Sequence, residues 1–169
     1  MVMEIVFAVD VGNTNISVGW FQNGCLHETW RISTDVRRTE DEYVLLFRAL
    51  LQSCQLNEIS IEGVVTCSVV PAETETIRSS LQKIFGDKIL EIGKGTKTGI
   101  RVNYDRPQDV GTDRVVDAAA AIEFYGGPVT IVDIGTATVF DAVSQDGEYL
   151  GGAIAPGMLL AAEALYQGT

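Results

Sequence analysis

The sequence predicts an α/β protein that contains two copies of one strand–turn–strand unit. The first observation is the order of its segments, because runs typical of strands alternate with stretches of helical periodicity. The second is an internal repeat: residues 7–26 and 130–149 align without a gap and share an aspartate, two turn glycines and the apolar pattern of two strands. With 169 residues, 46% of them hydrophobic, the chain is long enough for one large or two small domains.

The first part of the chain predicts a β meander followed by a helix. Three short apolar runs are strand candidates, at residues 4–10, 16–21 and 25–32. Asn23 and Gly24 mark a hairpin between the second and third runs, because this dipeptide favours the positive φ angles of a tight turn. Thr39 and Glu42 form a capping box, and the apolar residues that follow recur at helical spacing over about four turns.

The rest of the chain continues the alternation of strands and helices. Residues 61–70 are rich in β-branched side chains and stop at Pro71, which can begin a helix that Gly86 ends. The remaining predicted elements, besides the second copy of the repeat, are two short extended segments, an alanine-rich helix and a last helix, at residues 88–92, 100–104, 111–125 and 158–166.

The charge of the chain limits the classes of partner. Its formal net charge is -11 at pH 7, whereas binding to nucleic acid or to an anionic membrane needs a basic stripe. We therefore expect no nucleic acid and no membrane as partner. No run approaches the roughly 18 apolar residues of a membrane span, and no basic segment precedes an apolar one at the N-terminus, so a soluble cytoplasmic protein is expected.

The cysteines and the single histidine indicate neither a disulfide framework nor a zinc site. Cys25, Cys54 and Cys67 are far apart and lack C-x-x-C spacing. His27 is the only histidine, which argues against a Ser-His-Asp triad.

The two repeated turns combine a carboxylate with groups that can bind phosphate. Asp10 and Asp133 each end an apolar strand, and a glycine follows two residues later. Such turns leave backbone N–H groups unpaired and let an anion approach closely. A carboxylate beside them is explained if it holds a metal ion, or water on that ion, near the phosphates. Each turn alone also fits an ordinary chain reversal, but the repetition in one strand context favours phosphate binding.

The start of the alanine-rich helix, Gly111-Thr-Asp-Arg114, has two interpretations. In the structural one, Thr112 is the N-cap and Asp113 interacts favourably with the positive end of the helix dipole. In the functional one, Asp113 is a base and Arg114 is an anion-binding fork. These residues alone leave both interpretations open.

The chain contains four motifs in order, D-x-G-N-T at residues 10–14, G-T-D-R at 111–114, D-x-G-T-A at 133–137 and G-G-x-I-x-P-G at 151–157. Their order and spacing resemble those of type III pantothenate kinases, members of the acetate and sugar kinase, Hsc70 and actin superfamily. The resemblance implies an α/β fold of duplicated ribonuclease H-like (actin-like ATPase) domains with mixed β-sheets. Residues 1–110 would carry the first phosphate loop and residues 111–169 the second. Members of the family are longer than this chain, so the second domain is expected to be incomplete.

The resemblance also implies a reaction and its participants. The reaction is ATP-dependent phosphorylation of pantothenate to 4′-phosphopantothenate, the first step of coenzyme A biosynthesis, by a homodimer that uses Mg²⁺ and a monovalent cation, K⁺ or NH₄⁺. The matching positions assign ATP binding to Asp10, Val11, Gly12, Asn13, Thr14, Asn15, Ile16, Ser17 and Thr136. They assign pantothenate binding to Tyr104, Gly111, Thr112, Asp113 and Arg114, with Asp113 as the base. Asp133 would bind the monovalent cation, and Asp10 would hold Mg²⁺ through water.

Two other functions stay open at this point. One is a noncatalytic regulatory or nucleotide-binding protein of the same fold, since some members of the family have been labelled accessory transcription factors. The other is a sugar or acyl kinase of the same superfamily, against which the G-T-D-R motif argues.

Overall fold

The computed structural model describes residues 4–58, 60–93 and 95–168. The chain divides after residue 93 into two compact units. Residues 95–110 thus lie in the second unit. The sequence favours a boundary between functional domains after residue 110, and that boundary stays a prediction. Within the described ranges, no helix is both long and apolar enough to cross a membrane.

The first unit is a five-stranded mixed sheet with two helices. Its strands are β1 (Ile5–Val11), β2 (Asn15–Gln22), β3 (Cys25–Ser33), β4 (Gly63–Ser68) and β5 (Ile89–Ile92), and its helices are α1 (Glu40–Ser53) and α2 (Pro71–Phe85). The strand order is β3-β2-β1-β4-β5. The first three strands form an antiparallel meander, and β4 and β5 continue the sheet parallel to β1. The predicted elements of this unit are confirmed, with small shifts of their ends.

Alternation along β1 builds the core of the first unit. Phe7, Val9 and Val11 lie on one face of the strand and are at most 2% exposed. Phe47 of α1 and Phe85 of α2 pack against Phe7, with ring centroids 6.3 and 5.6 Å from its ring. Because the core residues of β1 are fixed in this way, the end of the strand that carries Asp10 has a fixed position.

The predicted capping box at the start of α1 is confirmed. Thr39 N donates to Glu42 Oε2 at 2.7 Å, and Glu42 N donates to Thr39 Oγ1 at 3.4 Å. These two bonds satisfy backbone N–H groups that have no partner inside a helix, so the helix begins where the sequence predicts.

A buried hydrogen bond joins α1 to α2. Tyr43 Oη donates to Glu73 Oε2 at 2.8 Å, and the two residues are 0% and 1% exposed. Burial, together with the bond to Glu73, raises the pKa of Tyr43 to about 12. A buried carboxyl group without a donor is destabilising, so the phenol stabilises the packing of the two helices.

Tyr43→Phe is expected to lower the free energy of unfolding by about 1–3 kcal/mol, because Glu73 loses its donor. The contribution of Tyr43 is present below pH 10 and is lost as the pH rises towards about 12, since the unfolded phenol ionises first and the folded one keeps its proton. Urea unfolding of both proteins at a series of pH values measures this difference. Tyr166→Phe is the control, because Tyr166 is 86% exposed. A difference that does not change with pH would contradict the raised pKa.

The second unit is a four-stranded mixed sheet with two helices. Its strands are β6 (Arg101–Val102), β7 (Val129–Ile134), β8 (Ala137–Val143) and β9 (Glu148–Pro156), and its helices are α3 (Thr112–Tyr125) and α4 (Met158–Gly168). The strand order is β6-β9-β8-β7, with β6 parallel to β9 and the others antiparallel. Helix α3 begins at Thr112, and the N-cap is Gly111, which makes no side-chain cap bond. The interpretation of Thr112 as the N-cap is therefore wrong.

The meanders β1–β3 and β7–β9 share strand order but differ at the turn that follows the aspartate. Val11 pairs with Ile16 in the first copy, whereas Ile134 pairs with Thr138 in the second. The second turn is therefore one residue shorter, and a gapless alignment of the repeat displaces β8 by one position relative to β2.

The core of the second unit is small. Its buried apolar residues in the described ranges are Ala118 and Ala121 of α3, Val143 of β8 and Tyr149 of β9. In contrast, Leu159 and Tyr166 of α4 are 87% and 86% exposed. Apolar side chains of this size usually lie inside a protein, so the described part of this unit leaves apolar surface uncovered.

Candidate functional site

The first turn, residues 12–14 between β1 and β2, is held by its own backbone and by Thr34. Gly12 N donates to Asn15 O at 3.0 Å. Thr34 Oγ1 donates to Gly12 O at 2.6 Å, and Thr34 N donates to Thr14 O at 3.0 Å. The turn thus has a fixed shape. Thr34 was not linked to this turn from the sequence, although the predicted meander places the end of β3 beside it.

The residues in and beside the first turn that the sequence assigns to ATP differ in exposure. Asn13, Thr14 and Asn15 are exposed, and Gly12 and Ser17 are half-buried. Val11 and Ile16 are 0% exposed and belong to the core. Their side chains are therefore structural, and only their main chain can contact a nucleotide.

Asp10 lies at the carboxyl end of β1, between the ends of β2 and β4. Its neighbours across the sheet are Ser17 and Cys67. Asp10 is exposed, and Cys67 Sγ donates to its Oδ1 at 3.2 Å. Mg²⁺ is usually held by one or two carboxylates together with water and substrate phosphates, so this exposed carboxylate fits such an ion. Cys67 was not linked to Asp10 from the sequence, because the pairing of β4 with β1 is not local.

The second turn, residues 135–136 between β7 and β8, is closed by its own backbone and by Gly157. Gly135 N donates to Ala137 O at 2.9 Å, and Gly157 N donates to Thr136 O at 3.0 Å. A Cβ atom on Gly157 would overlap the carbonyl oxygens of Gly135 and Thr136. Only glycine permits this close approach of two backbone segments, so the last glycine of the fourth motif supports the second turn.

Asp133 offers an exposed carboxylate beside the backbone of the second turn. Hard cations take carboxylate and carbonyl oxygens as ligands, so this donor set fits a monovalent cation. In residues 4–58, 60–93 and 95–168, no three His, Cys, Asp or Glu side chains are grouped so that they could hold a metal ion. A cation at Asp133 would therefore share this one carboxylate with main-chain, water or phosphate oxygens.

Asp113 lies in the first turn of α3 and is half-buried. Its Oδ1 accepts a hydrogen bond from Arg114 N at 2.8 Å. An acidic side chain is favourable here because of the helix dipole. An ionised carboxylate has about four acceptor positions, so this bond orients Asp113 and leaves it able to accept a proton from a substrate.

Arg114 forms a buried cluster with Asp141 of β8 and Tyr149 of β9. Arg114 Nε lies 3.1 and 3.2 Å from the two carboxylate oxygens of Asp141, and Nη2 also donates to Oδ1. Tyr149 Oη donates to Asp141 Oδ1 at 2.7 Å. The hydrogen bond to Asp141 raises the pKa of Arg114, and burial together with the bond to Asp141 raises the pKa of Tyr149. Near neutral pH, Arg114 is therefore charged and Tyr149 is not.

Two adjacent glycines of β9 let Tyr104 and Arg114 approach the strand. Gly151 has a φ of +106°, and a Cβ atom on it would lie 2.9 Å from Tyr104 Cε2. A Cβ atom on Gly152 would lie 2.9 Å from Arg114 Nη2 and would overlap the carbonyl oxygen of Phe140. The structure thus brings two of the predicted pantothenate residues to neighbouring positions of one strand. No hydrogen bond or ion pair among the described residues joins Asp133 to Tyr104 or Arg114.

Solved structures establish the class of the fold. EutJ, an ethanolamine utilization protein of Carboxydothermus hydrogenoformans, superposes with a TM-score of 0.53 at 14% identity, over 96% of this chain and 57% of that one. The Ppx/GppA phosphatase of Aquifex aeolicus gives a TM-score of 0.52 at 11% identity, over 95% and 55%. At these identities the likeness concerns the fold alone. The chain has the α/β fold of actin-like ATPases with two mixed sheets, and the predicted fold class is confirmed.

Sequence comparison then establishes the family. A family model of type III pantothenate kinases matches residues 6–169. The type III pantothenate kinase of Moorella thermoacetica is 47% identical over 162 residues, which cover 96% of this chain and 64% of the relative. That of Bacillus cytotoxicus is 43% identical over 162 residues, which cover 96% and 62%. The chain belongs to the type III pantothenate kinase family, and it is shorter than these relatives, as the resemblance predicts.

Proposed function

We propose that this protein transfers the γ-phosphoryl group of ATP to pantothenate and releases 4′-phosphopantothenate, as a cytoplasmic homodimer. The observation that carries the proposal is the family match, which includes both turns, the start of α3 and the glycines of β9. The oriented carboxylate of Asp113, next to the paired guanidinium of Arg114, supports pantothenate as the acceptor.

ATP would bind at the two turns through backbone and side-chain groups other than the amides of Gly12 and Gly135, which donate to Asn15 O and Ala137 O. Asn13 and Thr14 add polar side chains in the first turn, Asn15 adds one at the start of β2, and Thr136 adds one in the second turn. Mg²⁺, held through water by Asp10, supplies positive charge to the phosphates when it is bound. K⁺ or NH₄⁺ at Asp133 would add to this field. Cations and backbone dipoles thus explain how a chain of net charge -11 binds a polyanion.

Pantothenate would bind beside the start of α3. Arg114 would pair with the carboxylate of pantothenate. The rest of the pantothenate molecule would contact Tyr104 and the backbone of Gly111 and Thr112. Asp113 takes the proton of the primary hydroxyl as the hydroxyl oxygen attacks the γ-phosphorus. The bond from that phosphorus to the bridging oxygen breaks, and its electron pair leaves with ADP. Such a reaction depends on positioning and charge stabilisation rather than on covalent catalysis.

Release of ADP, measured with ATP, Mg²⁺ and K⁺ in the presence and absence of pantothenate, tests the proposal. We expect ADP release that depends on pantothenate, with 4′-phosphopantothenate formed in equal amount. Binding of ATP by the folded protein with no turnover of pantothenate would contradict it and would favour the noncatalytic nucleotide-binding alternative. Turnover of a sugar or a carboxylic acid in place of pantothenate would favour the other superfamily activities.

Asp133→Asn is expected to weaken the dependence of turnover on K⁺, because the neutral amide no longer attracts the cation. The K⁺ concentration for half-maximal activity should rise about tenfold, and the KM for pantothenate should stay unchanged. Initial rates measured against K⁺ concentration give this value. Asp146→Asn is the matched control, since Asp146 is an exposed residue in the turn between β8 and β9. A K⁺ response equal to that of the control would place the cation elsewhere.

A further inference from the structure

Asp141 is a buried carboxylate to which neither the repeat nor the motifs give a role. Its side chain is 3% exposed, whereas that of its partner Arg114 keeps 16% of its surface exposed. Burying an ion pair contributes little to stability on balance, because desolvation offsets most of the attraction. Two groups from separate elements hold Asp141 in place: Arg114 of α3 and Tyr149 of β9.

The cluster fixes the guanidinium group of Arg114 in position and in orientation. The described bonds to Asp141 use Nε and Nη2, which form one edge of the group. Tyr149 lies along its face, with Arg114 Cζ 5.7 Å from the ring centre, and Gly152 provides the space that a side chain would fill. A guanidinium group has five N–H donors, so the edge that carries Nη1 can bind a second carboxylate while Asp141 holds the first.

We propose that Asp141 and Tyr149 are positioning residues for substrate recognition: they hold Arg114 by one edge so that its other edge binds the carboxylate of pantothenate. This inference rests on the proposed function and extends it to two residues outside the four motifs. Because Asp141 already balances the charge of Arg114, the contribution of the arginine is directional. The fixed edge of the guanidinium group binds a planar carboxylate in one position and orientation, and it does not attract anions in general.

Paired substrates distinguish this role from a general contribution to folding. Panthenol has a primary alcohol where pantothenate has its carboxylate, and it keeps the hydroxyl group that would be phosphorylated. KM and kcat for both compounds are measured with Asp141→Asn, Tyr149→Phe and the wild-type protein. Glu123→Gln is the control, because Glu123 is an exposed carboxylate on α3. Thermal unfolding of each variant reports its stability separately.

We expect Asp141→Asn to raise the KM for pantothenate roughly tenfold or more, with the KM values for panthenol and ATP unchanged within about twofold. Tyr149→Phe should act in the same direction, by roughly threefold to fivefold. Equal increases for pantothenate and panthenol, or no increase for either, would overturn the inference. Should Asp141→Asn fail to fold, the same comparison with Tyr149→Phe decides.

The wild-type protein separates this inference from the function on which it rests. If it turns over pantothenate and the variants show no selectivity for the carboxylate, only the positioning role fails. If the wild-type protein neither binds nor phosphorylates pantothenate, the proposed function fails and the inference fails with it.

Discussion

Asp113→Asn is expected to reduce turnover of pantothenate by about 10²- to 10⁴-fold, which is the usual contribution of a general base. The amide can still accept the hydrogen bond from Arg114 N that the carboxylate accepts at 2.8 Å. It cannot take a proton from the hydroxyl group of the substrate. The substitution therefore removes the proposed base and keeps the hydrogen bond at the start of α3.

Steady-state kinetics and calorimetric titration with ATP separate the two effects. The affinity for ATP should be unchanged, since the proposed ATP groups lie in the two turns. Asp109→Asn, in the short 3-10 helix before α3, is the control and should keep full turnover. Turnover by Asp113→Asn at the level of this control would remove Asp113 from the role of base.

The elements that could be predicted from the sequence are those that local patterns determine. The capping box of Thr39 and Glu42 spans one helical turn, and the hairpin at Asn23 and Gly24 needs only two residues with positive φ, which the structure gives as 51° and 78°. Strand alternation and helical periodicity then define the neighbouring elements. The fold class could be predicted because strands alternate with helices along the chain and the strand–turn–strand unit occurs twice.

The partners of the site residues could not be predicted, because they come from distant parts of the chain. Asp141 is 27 residues from Arg114, and Cys67 is 57 residues from Asp10. No periodicity or spacing rule connects such positions. From the sequence, Arg114 therefore has one role, as an anion-binding fork, whereas the structure shows that one edge of this fork is already paired.

The register of the repeat illustrates a second reason. Sequence identity aligned the two aspartates and the two glycines correctly, but backbone pairing makes the second turn one residue shorter. Deletion of one residue in a turn exchanges the faces of the strand that follows it. Asp141 aligns with Val18, but Val18 pairs with Val9 whereas Asp141 pairs with Ile131, the residue before the counterpart of Val9. Asp141 therefore lies on the face of its sheet opposite to the one that the alignment predicts.

Gly157→Ala is expected to disrupt the second turn, because the added Cβ atom would overlap backbone atoms and not the end of a flexible side chain that could move aside. The added Cβ atom would overlap the carbonyl oxygens of Gly135 and Thr136, and both are backbone atoms that can move only with the turn. Gly157 also donates to Thr136 O at 3.0 Å, and its own carbonyl accepts from Ala161 N at 2.9 Å at the start of α4. Relief of the overlap therefore displaces the turn or the helix.

We expect Gly157→Ala to lower the free energy of unfolding by about 1–3 kcal/mol and to weaken ATP binding about tenfold or more, because the backbone of Thr136 moves. Calorimetric titration with ATP and urea unfolding measure the two effects. Gly168→Ala is the matched control: it lies in α4 with no heavy atom within 4 Å of the place that an added Cβ atom would take, and alanine favours a helix. Equal ATP affinities of the two variants would mean that the second turn does not contact the nucleotide. That result would contradict the proposed role of Thr136 in ATP binding and would leave the proposed role of the first turn unaffected.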